Sequence, residues 1–370
     1  MLDNYYDSYG YKTPEHFVTT AEIKKVKFAP ANHIEQNLTE IGSFFSETGQ
    51  ETGALSQSPL FYKKGEKKNN GGGGDNDEFK KMYLTLEYLG GGPKDTVGFL
   101  FAPNVSTSTY AWLAYSIDDG ETWTTMYNEN GHSVGKSISF PHEVGQKILF
   151  KGSGVSLYEN EQSCYFTSDG HYNVYGNIMS LLYADDFADK TSFEEGTSGN
   201  FRQLFAGNYG LEDAKLLRLP VTTLTEACYG EMFAGCASLT QAPTTLPATT
   251  LANECYYEMF TGCESLTTAP ELPATTLADF CYDGMFYGCT SLTTTPELLA
   301  TTLANGCYEY MFYQCTSLNY VKCMATEFGN GSTIDWLFRV SETGTFVKKS
   351  GVEWDEGRNG IPSGWTVEEV

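Results

Sequence analysis

Apolar and polar positions follow two different rhythms along the chain. Between residues 81 and 176 apolar residues come in short β-rich runs: Tyr83–Leu89, Val97–Phe101, Tyr110–Tyr115, Ser137–Phe140, Lys147–Phe150 and Cys164–Phe166. Gly, Asp, Asn and Pro separate them, a pattern that predicts an all-β sandwich over residues 81–177. From residue 219 onward the rhythm changes to an i, i+4, i+5 apolar stripe: Cys255, Met259, Phe260, then Cys281, Met285, Phe286, then Cys307, Met311, Phe312. That spacing predicts one face of a short helix in each unit. Asn253, Asp279 and Asn305 stand two residues before the first Cys, where a short side chain would accept from the free N–H groups of a starting helix. Gly262 and Gly288 follow about two turns later, where a left-handed residue would end it. The intervening Thr- and Pro-rich stretch, with Leu266, Leu272 and Leu277, predicts a brief strand and a turn.

The second rhythm is a repeat. Cys228, Cys255, Cys281 and Cys307 lie 27, 26 and 26 residues apart, and Met232, Met259, Met285 and Met311 keep the same steps. A period in the twenties falls in the leucine-rich repeat range and predicts stacked units that share one core. Asn200–Asn208 aligns with Cys255–Cys263, keeping Phe205 and Gly207 while both cysteines become Asn, as a degenerate first unit. After Cys323 the period stops, so residues 328–370 are expected to form a cap whose Trp336 and Phe346 cover the open end. Residues 1–54 read as an arm that finds its partners elsewhere, and residues 55–80, with Gly71–Gly74, as a flexible linker.

The units also carry an aromatic, a two-residue gap, a Cys and then Ser-Leu: Phe260-Thr-Gly-Cys263-Glu-Ser-Leu266 and Phe286-Tyr-Gly-Cys289-Thr-Ser-Leu292. This resembles the BspA-like bacterial leucine-rich repeats over roughly residues 200–325. The resemblance implies an α/β solenoid over residues 178–327 with a curved binding or adhesion surface, of the kind found on bacterial cell surfaces and gut phage particles. It implies no enzyme activity.

Charge and cysteine content narrow the classes. Net charge is −24, with 23 basic against 47 acidic residues, which argues against nucleic acid and anionic membrane as partners. No apolar run reaches the ~20 residues that span a bilayer. The N-terminal stretch Met1–Phe17 lacks a basic and then an apolar segment, so no secretory signal is expected there. A cell-surface type of repeat without such a signal favours a phage structural protein over a bacterial adhesin, its alternative. Nine of the ten cysteines lie between Cys228 and Cys323 without a CxxC pair, so buried reduced thiols are expected rather than zinc or disulfides.

Candidate chemistry is sparse. Ser116-Ile-Asp118-Asp-Gly120-Glu-Thr-Trp123 resembles the Asp-box turn of sialidases. As a single copy it predicts a structural hairpin, with calcium at Asp118 and Asp119 as the lesser reading. The five histidines are scattered, and no nucleophile elbow, HExxH or Walker motif appears, so no catalytic residue, cofactor or metal is assigned. Tyr256, Tyr257, Tyr282, Tyr308 and Tyr310 are expected to present rings to sugars or a protein partner, or in about half the cases to pack on the next unit. The expected function is therefore attachment by a virion protein, a homo-oligomer. Its arm would dock on other virion proteins and its repeats would meet a host surface protein or glycan.

Overall fold

The computed structural model describes residues 81–92, 96–100, 112–127, 136–139, 143–153 and 163–370. The arm expected at 1–54 and the linker expected at 55–80 lie outside the described residues. All described residues belong to one compact unit, Gly73–Val370. The fold is β-rich and nearly without helix. Among the described residues a single four-residue helix, α1 (Ser180–Tyr183), occurs.

The six β-rich runs form strands, and two further strands join them: β1 (Leu84–Gly90), β2 (Thr96–Leu100), β3 (Trp112–Ser116), β4 (Thr124–Tyr127), β5 (Lys136–Ser139), β6 (Lys147–Ser153), β7 (Tyr165–Ser168) and β8 (His171–Asn177), of which β4 and β8 are the additions. They make two sheets, β8-β1-β6-β3-β4 and β5-β2-β7, all paired antiparallel. Phe150 of β6 and Phe166 of β7 meet across the two sheets at 5.0 Å, edge to face. The sandwich does not end at residue 177 as expected. Two short strands from the following segment, β9 (Leu211–Asp213) and β10 (Leu217–Arg218), add to β8 in parallel and extend the larger sheet. An open β8 edge would leave a row of unpaired backbone groups, and the first unit of the repeats covers it.

The repeats lie side by side, but none contains a helix. Positive φ recurs every fourth residue, at Glu254, Glu258 and Gly262 and again at Phe280, Gly284 and Gly288. That conformation is incompatible with a right-handed helix. Burial follows the same period: Cys255–Tyr256, Met259–Phe260 and Cys263 are buried, and the residues between are not. The backbone bonds divide in two. Tyr257, Met259 and Thr261 donate their N–H groups three residues back, whereas Tyr256, Glu258, Phe260 and Gly262 donate to Cys281, Asp283, Met285 and Tyr287 of the next unit, at 2.7–3.0 Å. Each unit is thus a ribbon of tight turns that fills half its hydrogen bonds only when stacked. The apolar stripe at i, i+4 fits this four-residue turn as well as a helix, because 4.0 and 3.6 diverge by less than one position over eight residues.

The residues expected to cap helices do something else. Asn253 Oδ1 accepts from the Asp279 N–H (3.2 Å), Asp279 Oδ1 from Asn305 N–H (3.0 Å) and Asn305 Oδ1 from Asn330 N–H (3.1 Å). They form a ladder between units rather than caps within them. Gly262 and Gly288 do adopt the left-handed conformation expected of them, at φ 69° and 71°.

Two aromatic columns run through the shared core. One is Phe166–Phe205–Phe233–Phe260–Phe286–Phe312, with centroids 5.3–5.6 Å apart and planes within 10°. The other is Phe201–Tyr229–Tyr256–Tyr282–Tyr308–Trp336–Trp354, at 5.4–6.1 Å. Such pairs contribute roughly 0.5–1.5 kcal/mol each beyond area burial. All ten cysteines are buried and none is disulfide-bonded. One thiol per unit donates to the Phe carbonyl of the preceding unit: Cys263 to Phe233, Cys289 to Phe260 and Cys315 to Phe286, at 3.0–3.2 Å. In the first unit Asn208 takes over, its Nδ2 donating to Phe166 of β7 at 2.8 Å. That bond joins the repeats to the sandwich alongside the β8–β9 and β8–β10 pairs.

The stacking does not stop at Cys323. Positive φ recurs at Gly331, Asp335 and Arg339, and Tyr308, Tyr310, Phe312 and Gln314 donate to Ser332, Ile334, Trp336 and Phe338. Residues 331–339 are therefore one more turn ribbon, hidden in sequence because Ser332 and Trp336 replace Cys and Met. Three parallel strands close the C-terminal end: β11 (Tyr320–Cys323), β12 (Thr345–Lys348) and β13 (Thr366–Glu369). Trp336 and Phe346 are fully buried, and the last ring of the column is Trp354 rather than Trp336.

Candidate functional site

The four-residue turn decides which side chains reach the outer face. Glu231, Glu258, Gly284, Tyr310 and Asp335 are the positive-φ residues at matching positions of successive units. The residue preceding each forms a second row, Gly230, Tyr257, Asp283, Glu309 and Ile334, whose carbonyls accept from the matching positive-φ residue of the preceding unit, Gln203 in the case of Gly230. Three residues after the first row stands a third: Ala234, Thr261, Tyr287, Tyr313 and Phe338. Rows of core residues keep their type from unit to unit; these outer rows do not.

Gly284 makes a gap. Its neighbours along the row carry Glu and Tyr, and a Cβ at Gly284 would stand 2.9 Å from Glu258 Cγ. A cavity of about 340 Å³ opens there, lined by Glu258, Asp283, Gly284, Tyr287, Tyr310, Tyr313, Asp335 and Arg358. Tyr287 and Tyr313 stack at 4.8 Å with planes 11° apart, and Tyr310 meets Tyr313 edge to face at 5.8 Å. The wall is acidic. Burial first, then the like charges of Glu309, Glu258 and Glu254, push the Asp283 carboxyl up to about 7. Burial and the Asp335 charge raise Glu309 as well. Tyr257 Oη donates to Glu258 Oε1 at 2.7 Å.

The five tyrosines expected to face outward divide. Tyr256, Tyr282 and Tyr308 are buried to within 2% and build the second aromatic column, so they are not available to a ligand. The side chain following each first cysteine points inward because the turn buries residues in pairs, not singly. Tyr257 and Tyr310 are half-buried on the outer face, and Tyr310 lines the cavity. Sequence reading missed Tyr287, Tyr313 and Gly284. The usable signal was variability among the copies: Asp283-Gly284 stands where neighbouring units have Tyr257-Glu258 and Glu309-Tyr310.

The hairpin motif is structural. Ser116 Oγ donates to Asp118 Oδ1 (2.6 Å) and accepts from Gly120 N–H (2.9 Å), while Thr122 donates through N–H and hydroxyl to Asp118 at 2.9 and 2.5 Å. Trp123 Nε1 donates to the Gly120 carbonyl at 3.1 Å, and the indole packs 5.0 Å from Tyr83. The Ser116 bond first, then those from Thr122, lower the Asp118 carboxyl to about 2. Both Asp118 oxygens thus accept from protein donors within the turn. Among the described residues no three His, Cys, Asp or Glu side chains converge as metal ligands, and no helix is long and apolar enough to cross a membrane.

Compared with known proteins, the chain matches no family model, no curated protein and no solved structure.

Proposed function

We propose that this chain is a non-enzymatic virion structural protein of a bacteriophage, a homo-oligomeric head fibre, decoration protein or tail appendage. Residues 178–327 would form a leucine-rich repeat solenoid of BspA-like type, continued by residues 328–370, whose outer face attaches the particle to a host surface protein or glycan. The observation that carries the reading is the cavity at Gly284: a tyrosine-walled recess on a stack whose inner rows are otherwise uniform. What supports attachment is the recess itself, where stacked tyrosine rings and carboxylates converge on the outer face. The phage setting rests on the resemblance and on the sequence reading of residues 1–80 as arm and linker.

Deleting residues 1–80 tests the arrangement. The shortened protein is expected to fold, to bind host cells, and to be missing from purified particles. Tyr310→Ser in the full chain is expected to leave particle incorporation intact and to reduce binding to host cells. Recovery of the protein on intact bacterial cells and never on particles would replace the virion by a surface adhesin, and turnover of a substrate would overturn both.

A further inference from the structure

The rows that line the cavity carry an arginine of the chain's own at each end. At the first, the Arg202 guanidinium pairs with Glu231 and lies 5.7 Å from the Tyr257 ring centroid, while Gln203 Nε2 donates to the other Glu231 oxygen at 2.8 Å. At the last, Arg358 grips Asp335, with Nη2 to Oδ2 at 2.6 Å and its Cζ 4.7 Å from the Phe338 centroid. Both ends use one recipe: a carboxylate at the positive-φ position and an aromatic ring beside it, holding a planar cation.

The middle units have the ingredients, but the cation at their edge, Arg358, is paired with Asp335 and with none of their acids. Glu258, Asp283 and Glu309 supply carboxylates, and Tyr287, Tyr310 and Tyr313 supply rings. None of those three acids forms an ion pair among the described residues. The charged groups that act on Asp283 are all acidic, namely Glu309, Glu258 and Glu254. A carboxylate cluster alone would be a solvated face. Here two of its members, Glu258 and Asp283, line a cavity beside Gly284, and a guanidinium of the chain, Arg358, already forms part of the lining.

We infer that the Gly284 cavity receives an arginine or lysine side chain of a protein partner, paired with Glu258 and Asp283 and lying against the Tyr287–Tyr313 and Tyr310 rings. This rests on the reading of the outer face as the attachment surface, and it names what that face recognises. The physics is that of a cation desolvated between rings and carboxylates, where both contributions strengthen together. Arg suits it better than Lys, because its plane stacks on a ring while its fork meets a carboxylate. A neutral sugar would leave several acids crowded and uncompensated.

The test must separate this site from the general attraction of a chain with net charge −24 for anything basic. The probe is a fluorescein-labelled (Gly-Arg)5 peptide, with (Gly-citrulline)5 as its isosteric neutral control, read by anisotropy on the full chain. The groove variant is Glu258→Gln with Asp283→Asn. The charge-matched variant is Glu194→Gln with Glu195→Gln, two exposed residues away from the groove. The groove variant is expected to weaken arginine-peptide binding about tenfold, the scale of a lost charge-assisted hydrogen bond. The charge-matched variant is expected to change it less than about twofold, as for exposed charges, and the citrulline peptide to bind neither. Tyr287→Ser, which leaves the charge unchanged, is expected to weaken it as well. Equal losses in the groove and charge-matched variants, or equal binding of citrulline, would overturn the inference. Loss of neutral-glycan binding in the groove variant, with peptide binding unchanged, would sink it too while leaving the attachment reading in place. Cell attachment unaffected by the groove variant and by Tyr310→Ser would instead remove the attachment reading itself.

Discussion

Replacing Asp283 by Asn should stabilise the protein at pH 8 and make no difference near pH 4. Burial and the charges of Glu309, Glu258 and Glu254 raise its carboxyl from 3.8 to about 7 in the fold. The folded state therefore holds the proton more tightly than the unfolded chain does. Stability from this group is complete below the unfolded value near pH 4, declines as pH rises, and is fully lost above the folded value near pH 7. A shift of about 3 units corresponds to about 4 kcal/mol at 1.36 kcal/mol per unit. The group is only half-buried at a surface groove, so solvent and salt screen much of this, and about 2 kcal/mol is the working figure. Asn keeps the shape, removes the charge, and is indifferent to pH. Thermal unfolding of both proteins by circular dichroism at pH 3.5, 6 and 8 should give midpoints that coincide at the lowest pH. At pH 8 the variant should lie higher by about 4 °C or more, given roughly 2–4 °C per kcal/mol for chains of this order. A variant that is less stable at pH 8, or a gap that stays constant across the three pH values, would refute the claim that Asp283 sits uncompensated among like charges.

Other consequences follow from named contacts. Phe286→Ala empties a slot between Phe260 and Phe312, 5.6 and 5.5 Å away, and should cost about 3–5 kcal/mol in urea unfolding, whereas Tyr257→Ala on the outer face should cost about 1 kcal/mol or less. Gly284→Ala places a Cβ at 2.9 Å from Glu258 Cγ in a residue at φ 59°, so a loss of roughly 1–2 kcal/mol is expected by the same measurement. Burial raises the thiols of Cys236, Cys255, Cys307 and Cys323 to about 12, so Ellman's reagent at pH 8 should label almost none of the ten cysteines in the native chain and all of them in guanidinium. Asp118→Ala removes the acceptor for both Thr122 donors, and hydrogen exchange should speed at the Thr122 amide while the amides of the stacked units are unchanged.

Much of this architecture could be read from sequence, and what could not has a physical cause. The strands of residues 81–176 announced themselves because short β-rich runs are bounded there by Gly, Asp, Asn and Pro. The hairpin at Ser116–Trp123 was legible because its side chains bond one another locally. The repeats were legible as repeats, yet their backbone was not. A period of four residues over two turns mimics a helix, and the deciding fact, positive φ at Glu258, Phe280 and Tyr310, falls on residues with no glycine to flag it. Asn253 and Asp279 had the right chemistry and the wrong addressee, since an acceptor that could cap a helix can equally meet the next unit's N–H. The last turn ribbon, residues 331–339, escaped because Ser332 and Trp336 fill the places of Cys and Met; only the backbone pattern identifies it.

The same geometry explains why the groove is the part least visible in advance. Stacked turns place corresponding positions of adjacent units in contact, so a core position must satisfy the residue above and below it at once. That constraint holds the columns at Tyr256–Tyr282–Tyr308 and Phe260–Phe286–Phe312, and it makes each copy predict the next. Outer rows meet no such demand along the stack, and each copy is at liberty to differ. A recess therefore arises where a large residue is dropped from one copy alone, as at Gly284 between Glu258 and Tyr310, and its walls come from four successive units and from Arg358 beyond them. In a protein of this build the regular residues account for the fold, and a binding surface is to be sought where the repetition breaks on the outside while holding on the inside.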